Sequence, residues 1–131
     1  MPSTAELDNP VTSVQRILVV EDNPDTARSL SLLLSLNGYE VRVANTGPEG
    51  VQAAQQWCPE VVLCDIGLPG LDGFGVATEL RRRGLTARLV AVTAYGDDET
   101  RRRAGDSGFD FFITKPADPD ILLMLLPRSG H

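Results

Sequence analysis

The chain has 131 residues, 42 % hydrophobic and 23 % charged, the size and balance of one soluble globular domain and too short for two ordinary ones. A net charge of −6 excludes the basic surface that general nucleic-acid binding needs, and no apolar run is long enough to insert in a membrane. Cys58 and Cys64 form no CxxC pair and the single histidine is the last residue, His131, so a zinc site and a Ser–His or Cys–His catalytic pair are excluded, and a reduced, cytoplasmic setting is expected.

Residues 1–14 are rich in Pro, Ser, Thr and acids and lack the basic-then-apolar order of a signal peptide. They read as a flexible lead-in to one domain over 15–127, with 128–131 as a tail. Five apolar runs follow in order: RILVV, EVRVA, EVVLC, RLVAV and FDFFIT. Such short, mostly continuous runs suit strands covered on both faces of a parallel sheet.

Segments of helical period lie between them. After Asn23-Pro24, the residues Ala27, Leu30, Leu33 and Leu34 share a face, and Asn37-Gly38 ends that helix. Thr46-Gly47-Pro48-Glu49 reads as a capping box opening a helix through Gln56. Phe74, Ala77 and Leu80 precede Arg81-Arg82-Arg83 and a stopping Gly84. Asp97, Asp98 and Glu99 open a helix expected to close with Arg101-Arg102-Arg103, and a last apolar helix follows Asp118-Pro119 and stops near Pro127. Both arginine triplets are expected to complement helix dipoles.

The order βαβαβαβαβα, with right-handed crossovers, gives an open α/β doubly wound parallel sheet with helices on both faces. A flavodoxin-like (βα)5 fold with strand order 2-1-3-4-5 is the expectation for it. In such a fold ligands sit beyond the carboxyl ends of the strands. The residues expected there are Glu21 and Asp22 after strand 1, Asp65 after strand 3, Thr93 after strand 4 and Lys115 after strand 5. Three neighbouring carboxylates repel one another, and a divalent ion such as Mg²⁺, which prefers hard oxygen ligands, removes that cost. Asp65 then stays ionised and can act as a nucleophile. Lys115 supplies a positive charge for phosphoryl oxygens and Thr93 a hydroxyl donor. Phosphoryl transfer needs positioning and charge neutralisation, and this set offers both. Taken one at a time, Glu21 and Asp22 could equally cap a helix, Thr93 be an ordinary strand residue and Lys115 a solvated one.

The motifs VVEDN, LCDIGLPGLDG, AVTAY and ITKP, spread from about Arg16 to Leu126, resemble the receiver domain of two-component response regulators. The resemblance implies Asp65 as the phosphoacceptor, Asp22 as the direct acidic ligand of Mg²⁺, Glu21 acting on the ion through water, and Gly67 lending its backbone carbonyl. It implies contacts of Thr93 and Lys115 with the phosphoryl group, and a cis Lys115-Pro116 bond. Phe112 stands where the family carries its rotating aromatic, often Tyr, and lacks the hydroxyl. Thr93 and Phe112 are therefore the switch residues the resemblance implies. DIGLPGLDG, TAYG and KPADPD are most similar to receivers attached to hybrid sensor histidine kinases. The implied partner is a sensor histidine kinase or a histidine phosphotransfer protein. A homodimer through the face of the fourth helix, fifth strand and fifth helix is a further expectation.

Competing readings fit less well. A phosphatase of the haloacid dehalogenase type would need an acid two residues after the nucleophile, where this chain has Gly67. A flavodoxin-type nucleotide binder would not place Glu21-Asp22 against a phosphate, and no GxGxxG or P-loop pattern is present. A degenerate receiver that only docks partners would not need Asp22, Asp65 and Lys115 together.

Overall fold

Strand β1 (Arg16–Val20) shows how the sheet divides the core. Its side chains alternate between two faces, and all four residues from Ile17 to Val20 are buried. Leu18 and Val20 join one cluster with Val62, Cys64, Leu89 and Ala91; Ile17 and Val19 join a second with Val61, Leu63, Val90 and Val92. A strand apolar on both sides can only sit between two helical layers. The computed structural model describes residues 15–127, so the expected lead-in and tail lie outside the described residues.

The remaining elements are α1 (Pro24–Leu36), β2 (Glu40–Ala44), α2 (Gly47–Trp57), β3 (Val61–Asp65), α3 (Gly73–Arg82), β4 (Arg88–Thr93), α4 (Asp98–Ser107), β5 (Phe111–Thr114) and α5 (Pro119–Met124). The strands are parallel and ordered β2-β1-β3-β4-β5, as the sequence predicts. Helices α1 and α5 cover one face through Leu30, Leu34 and Leu122; α2, α3 and α4 cover the other through Ala54, Val76, Leu80 and Ala104. The edge strand β2 departs from the expectation of two covered faces. Only Ala44 of its five residues is buried, because the helices concentrate over the central strands.

Each helix starts at the carboxyl edge of the sheet behind a side-chain cap. Asn23 accepts from the amides of Asp25 and Thr26, Thr46 from Glu49, Asp72 from Gly75, Asp97 from Thr100 and Asp118 from Asp120. These bonds satisfy amides that the first helical turn leaves unpaired. The capping box at Thr46 is offset: Glu49 accepts from the amide of Asn45 rather than from that of Thr46 itself.

The two arginine triplets part ways on the helix-dipole expectation: Arg81 and Arg82 stand in the last turn of α3 and Arg83 caps it, as expected, whereas the α4 triplet does not close its helix. Helix α4 does not close at Arg103 but runs on to Ser107, where Gly108 at φ 115° caps it in the left-handed region. Its arginines therefore lie in the middle of the helix, with Arg101 4.6 Å over the Phe112 ring and Arg103 4.1 Å over the Phe74 ring. In α3, Arg82 and Arg83 pair with Glu79. Arg81 turns inward and donates to the carbonyls of Leu85, Ala87 and Gly108 and to Asp110. It ties the end of α3 to the turn before β5.

Candidate functional site

Four strand ends bring the expected residues together. Register pairs Val20 of β1 with Cys64 of β3, and Asp65 with Val92 of β4, so Glu21, Asp65 and Thr93 emerge side by side. The loop after β5 returns Lys115, whose amide donates 2.7 Å to the Thr93 carbonyl. Lys115-Pro116 is cis.

Lys115 lies between two carboxylates. Its Nζ is 3.0 Å from Glu21 Oε1 and 3.2 Å from Asp65 Oδ2. Glu21 is only 2 % exposed, which for a carboxylate requires partners. Its second oxygen accepts from the Asn23 amide at 3.1 Å. Burial pushes the Glu21 carboxyl above the usual range, and its hydrogen bonds to Lys115 and Asn23 only partly offset this. Burial acts to lower the Lys115 pKa, yet the Glu21 and Asp65 carboxylates outweigh it and hold the ammonium above its ordinary value.

Carboxylate oxygens of Glu21, Asp22 and Asp65 lie within 4.8 Å of one another, with Asp22 exposed and Asp65 half-buried. Among the described residues they are the one group of three or more His, Cys, Asp or Glu side chains placed to hold a cation. The donor set is all oxygen and doubly served by carboxylates at the rim, which fits a hard divalent ion with part of its water retained. The Gly67 amide donates to Asp65 Oδ1 at 3.0 Å, fixing one carboxylate oxygen while Lys115 holds the other.

Thr93 is 1 % exposed, and its hydroxyl accepts from the Tyr95 amide at 3.1 Å. Its own proton meets no acceptor among the described residues, so it can be donated elsewhere. Phe112 is half-buried on the face of β5 that packs against the cluster of Leu18 and Val20, under the Arg101 guanidinium. That cation over the ring was not legible in the sequence, since residues 11 apart on a helix and a strand share no spacing rule. Nor was the Asn45 side-chain amide, which donates to the Glu21 carbonyl at 3.4 Å.

The model of the response regulator receiver domain matches residues 17–126. The chain belongs to the response regulator receiver family. Among similar proteins, the transcriptional regulatory protein KdpE of Mycobacterium tuberculosis is 37 % identical over 110 residues, covering 84 % of this chain and 48 % of KdpE. The sensor histidine kinase RcsC of Salmonella typhimurium is 34 % identical over 110 residues, covering 84 % of this chain and 12 % of RcsC. This receiver thus spans about half the length of one relative and a small part of the other. The crystal structure of a putative response regulator from Chloroflexus aurantiacus superposes with a TM-score of 0.82 at 31 % identity, covering 86 % of this chain and 94 % of that one. The receiver fold expected from the motifs is therefore the fold of this chain. Among the described residues, no helix is long and apolar enough to cross a membrane.

Proposed function

We propose that this receiver accepts a phosphoryl group on Asp65 from a phosphohistidine of a sensor histidine kinase or a histidine phosphotransfer protein. The observation that carries this reading is Lys115 Nζ bridging Glu21 and Asp65 beside a cluster of three carboxylates. Asp22 and Asp65, the carbonyl of Gly67 and, through water, Glu21 are the groups that would hold Mg²⁺. The ion would neutralise the carboxylates and the charge of the incoming phosphoryl oxygens. The Gly67 amide and Lys115 orient the Asp65 carboxylate, so that one oxygen meets the phosphorus in line. The N–P bond of the donor breaks, the O–P bond of an acyl phosphate forms, and the donor nitrogen keeps the electron pair. Lys115 and the Thr93 hydroxyl then contact phosphoryl oxygens, which are stronger acceptors than anything Thr93 meets otherwise. Domain limits of 15–127, a cytoplasmic setting and pairing of two receivers through α4, β5 and α5 belong to the same reading. So does attachment to a hybrid kinase, which the similarity to RcsC supports.

Acetyl phosphate with Mg²⁺ tests the chemistry. Intact-mass analysis should show one phosphoryl group added and then lost on standing, with no addition in Asp65→Asn. Labelling of Asp65→Asn at the native rate would sink the assignment.

A further inference from the structure

The loop between β3 and α3 carries Gly67 and leaves directly from Asp65, so whatever fixes this loop fixes the site. Its first contacts are local. The Gly73 amide donates to the Ile66 carbonyl, and Ile66 and Leu68 are buried in the core. Its far end depends on a more distant element. Leu71 is wedged between the first turn of α2 and the first turn of α3, at two positions that lack side chains. A Cβ added to Gly47 would lie 2.2 Å from the Leu71 carbonyl oxygen and 2.9 Å from its Cβ. One added to Gly75 would lie 2.5 Å from Leu71 Cδ1. The two contacts differ in kind. At Gly75 the obstacle is the tip of a flexible side chain, whereas at Gly47 it is loop backbone, which must itself move.

We propose that Gly47 and Gly75 form a slot that seats Leu71 and thereby holds the 66–72 loop at the register in which Gly67 and Asp65 face Asp22. Gly47 is then a positioning residue of the site, although it sits at the start of α2 and touches none of the site's polar groups. The proposal rests on the reading that Mg²⁺ binds there. It goes beyond that reading in assigning site geometry to an α2 residue and to an apolar bolt. Leu71, at 36 % exposed, adds little to the core, so its fit between the helices matters more than its burial.

The test measures Mg²⁺ affinity through amide shifts of Asp22 and Gly67, together with hydrogen exchange of the Ile66, Gly67 and Leu68 amides and the urea midpoint. In Gly47→Ala, Mg²⁺ should bind about tenfold more weakly, the low end of what losing support around a metal site costs. The three loop amides should exchange faster with and without the ion. Gly105→Ala is the control, because a Cβ there meets nothing within 4 Å and α4 lies outside the slot. It should bind Mg²⁺ as the native chain does. A lowered urea midpoint with native Mg²⁺ affinity and native loop exchange in Gly47→Ala would make Gly47 a packing residue only and overturn the proposal. If Gly47→Ala does not fold, Leu71→Ala decides: it removes the bolt without adding a clash. It should show the same weaker binding and faster exchange, and native values in both would overturn the proposal. Absence of Mg²⁺-dependent shifts in the native chain would instead overturn the metal reading, and the exchange comparison would then judge the slot alone.

Discussion

Two loops leave neighbouring strands at the same edge of the sheet and are built in opposite ways. The loop after β3 sends Ile66 and Leu68 into the core and lodges Leu71 between two helices. The loop after β4 is exposed from Ala94 to Asp97 and leads into α4, whose one buried residue is Ala104. Apolar burial therefore fixes the half of the site that would hold an ion and accept a phosphoryl group. Polar bonds and guanidinium–ring contacts hold the half that would respond. A ligand shifts a conformational equilibrium only by its differential affinity for the two states, so the responding half must be cheap to rearrange.

The sharpest way to break this comparison is to weaken one arginine on each side. Arg81 spends its guanidinium on three carbonyls and the Asp110 carboxylate. Arg81→Met leaves those acceptors without a charged donor and should cost roughly 2–3 kcal/mol in urea denaturation. Arg101 is exposed, and among the described residues its side chain offers only its cation over Phe112. Arg101→Met should cost about 0.5–1 kcal/mol. Equal losses would mean that α4 is anchored as firmly as α3.

Transmission is the next contrast. A beryllofluoride mimic on Asp65 should shift amides around Thr93, Arg101 and Phe112 together, while the 66–72 loop changes only where it touches the site. In Thr93→Ala the site should still accept the mimic, with the shifts at Arg101 and Phe112 reduced. Full-sized distant shifts in that variant would show that the signal bypasses Thr93 and that Phe112 is only packing. In Arg101→Met the Phe112 shift should change more than that of Thr93, since the variant removes only the cover of the ring.

The strand positions and the gathering of Glu21, Asp22, Asp65, Thr93 and Lys115 were legible in the sequence because they follow from period and chain order, while the strand order 2-1-3-4-5 came from the fold type expected for that alternation. Apolar runs fix which segments are central strands, and a parallel sheet puts all their carboxyl ends on one edge. What stayed hidden depends on contacts between segments far apart in the chain. The length of α4 is hidden because Arg101-Arg102-Arg103 looks like a basic helix end, while the true stop is Gly108. The seat of Leu71 against Gly47 and Gly75 has no spacing signal at all. A glycine two residues ahead of a capping glutamate reads as a helix start, and only the fold shows the neighbouring loop that needs its missing side chain.

The smallest effect concerns the other basic cluster of α3 and comes from pH. The hydrogen bonds of Arg82 and then Arg83 hold the Glu79 carboxyl down to about 2, against an ordinary value of 4.5. Between those two values the unfolded chain binds a proton at Glu79 that the folded chain does not. The stabilisation is therefore complete above about pH 4.5 and fades as pH falls toward 2. These are surface pairs, with the Arg82 side chain 67 % exposed, so solvent and salt screen them and the effect is small. Glu79→Gln should lower the urea midpoint slightly at pH 6, and the gap from the native chain should narrow at pH 3. Raising salt at pH 6 should narrow it too. A gap that is the same at both pH values would mean that the Arg82 and Arg83 pairs with Glu79 add nothing to the stability of α3, leaving the inward-turned Arg81 and the bond of Arg83 to Gln55 in α2 as what the triplet contributes to anchoring the helix.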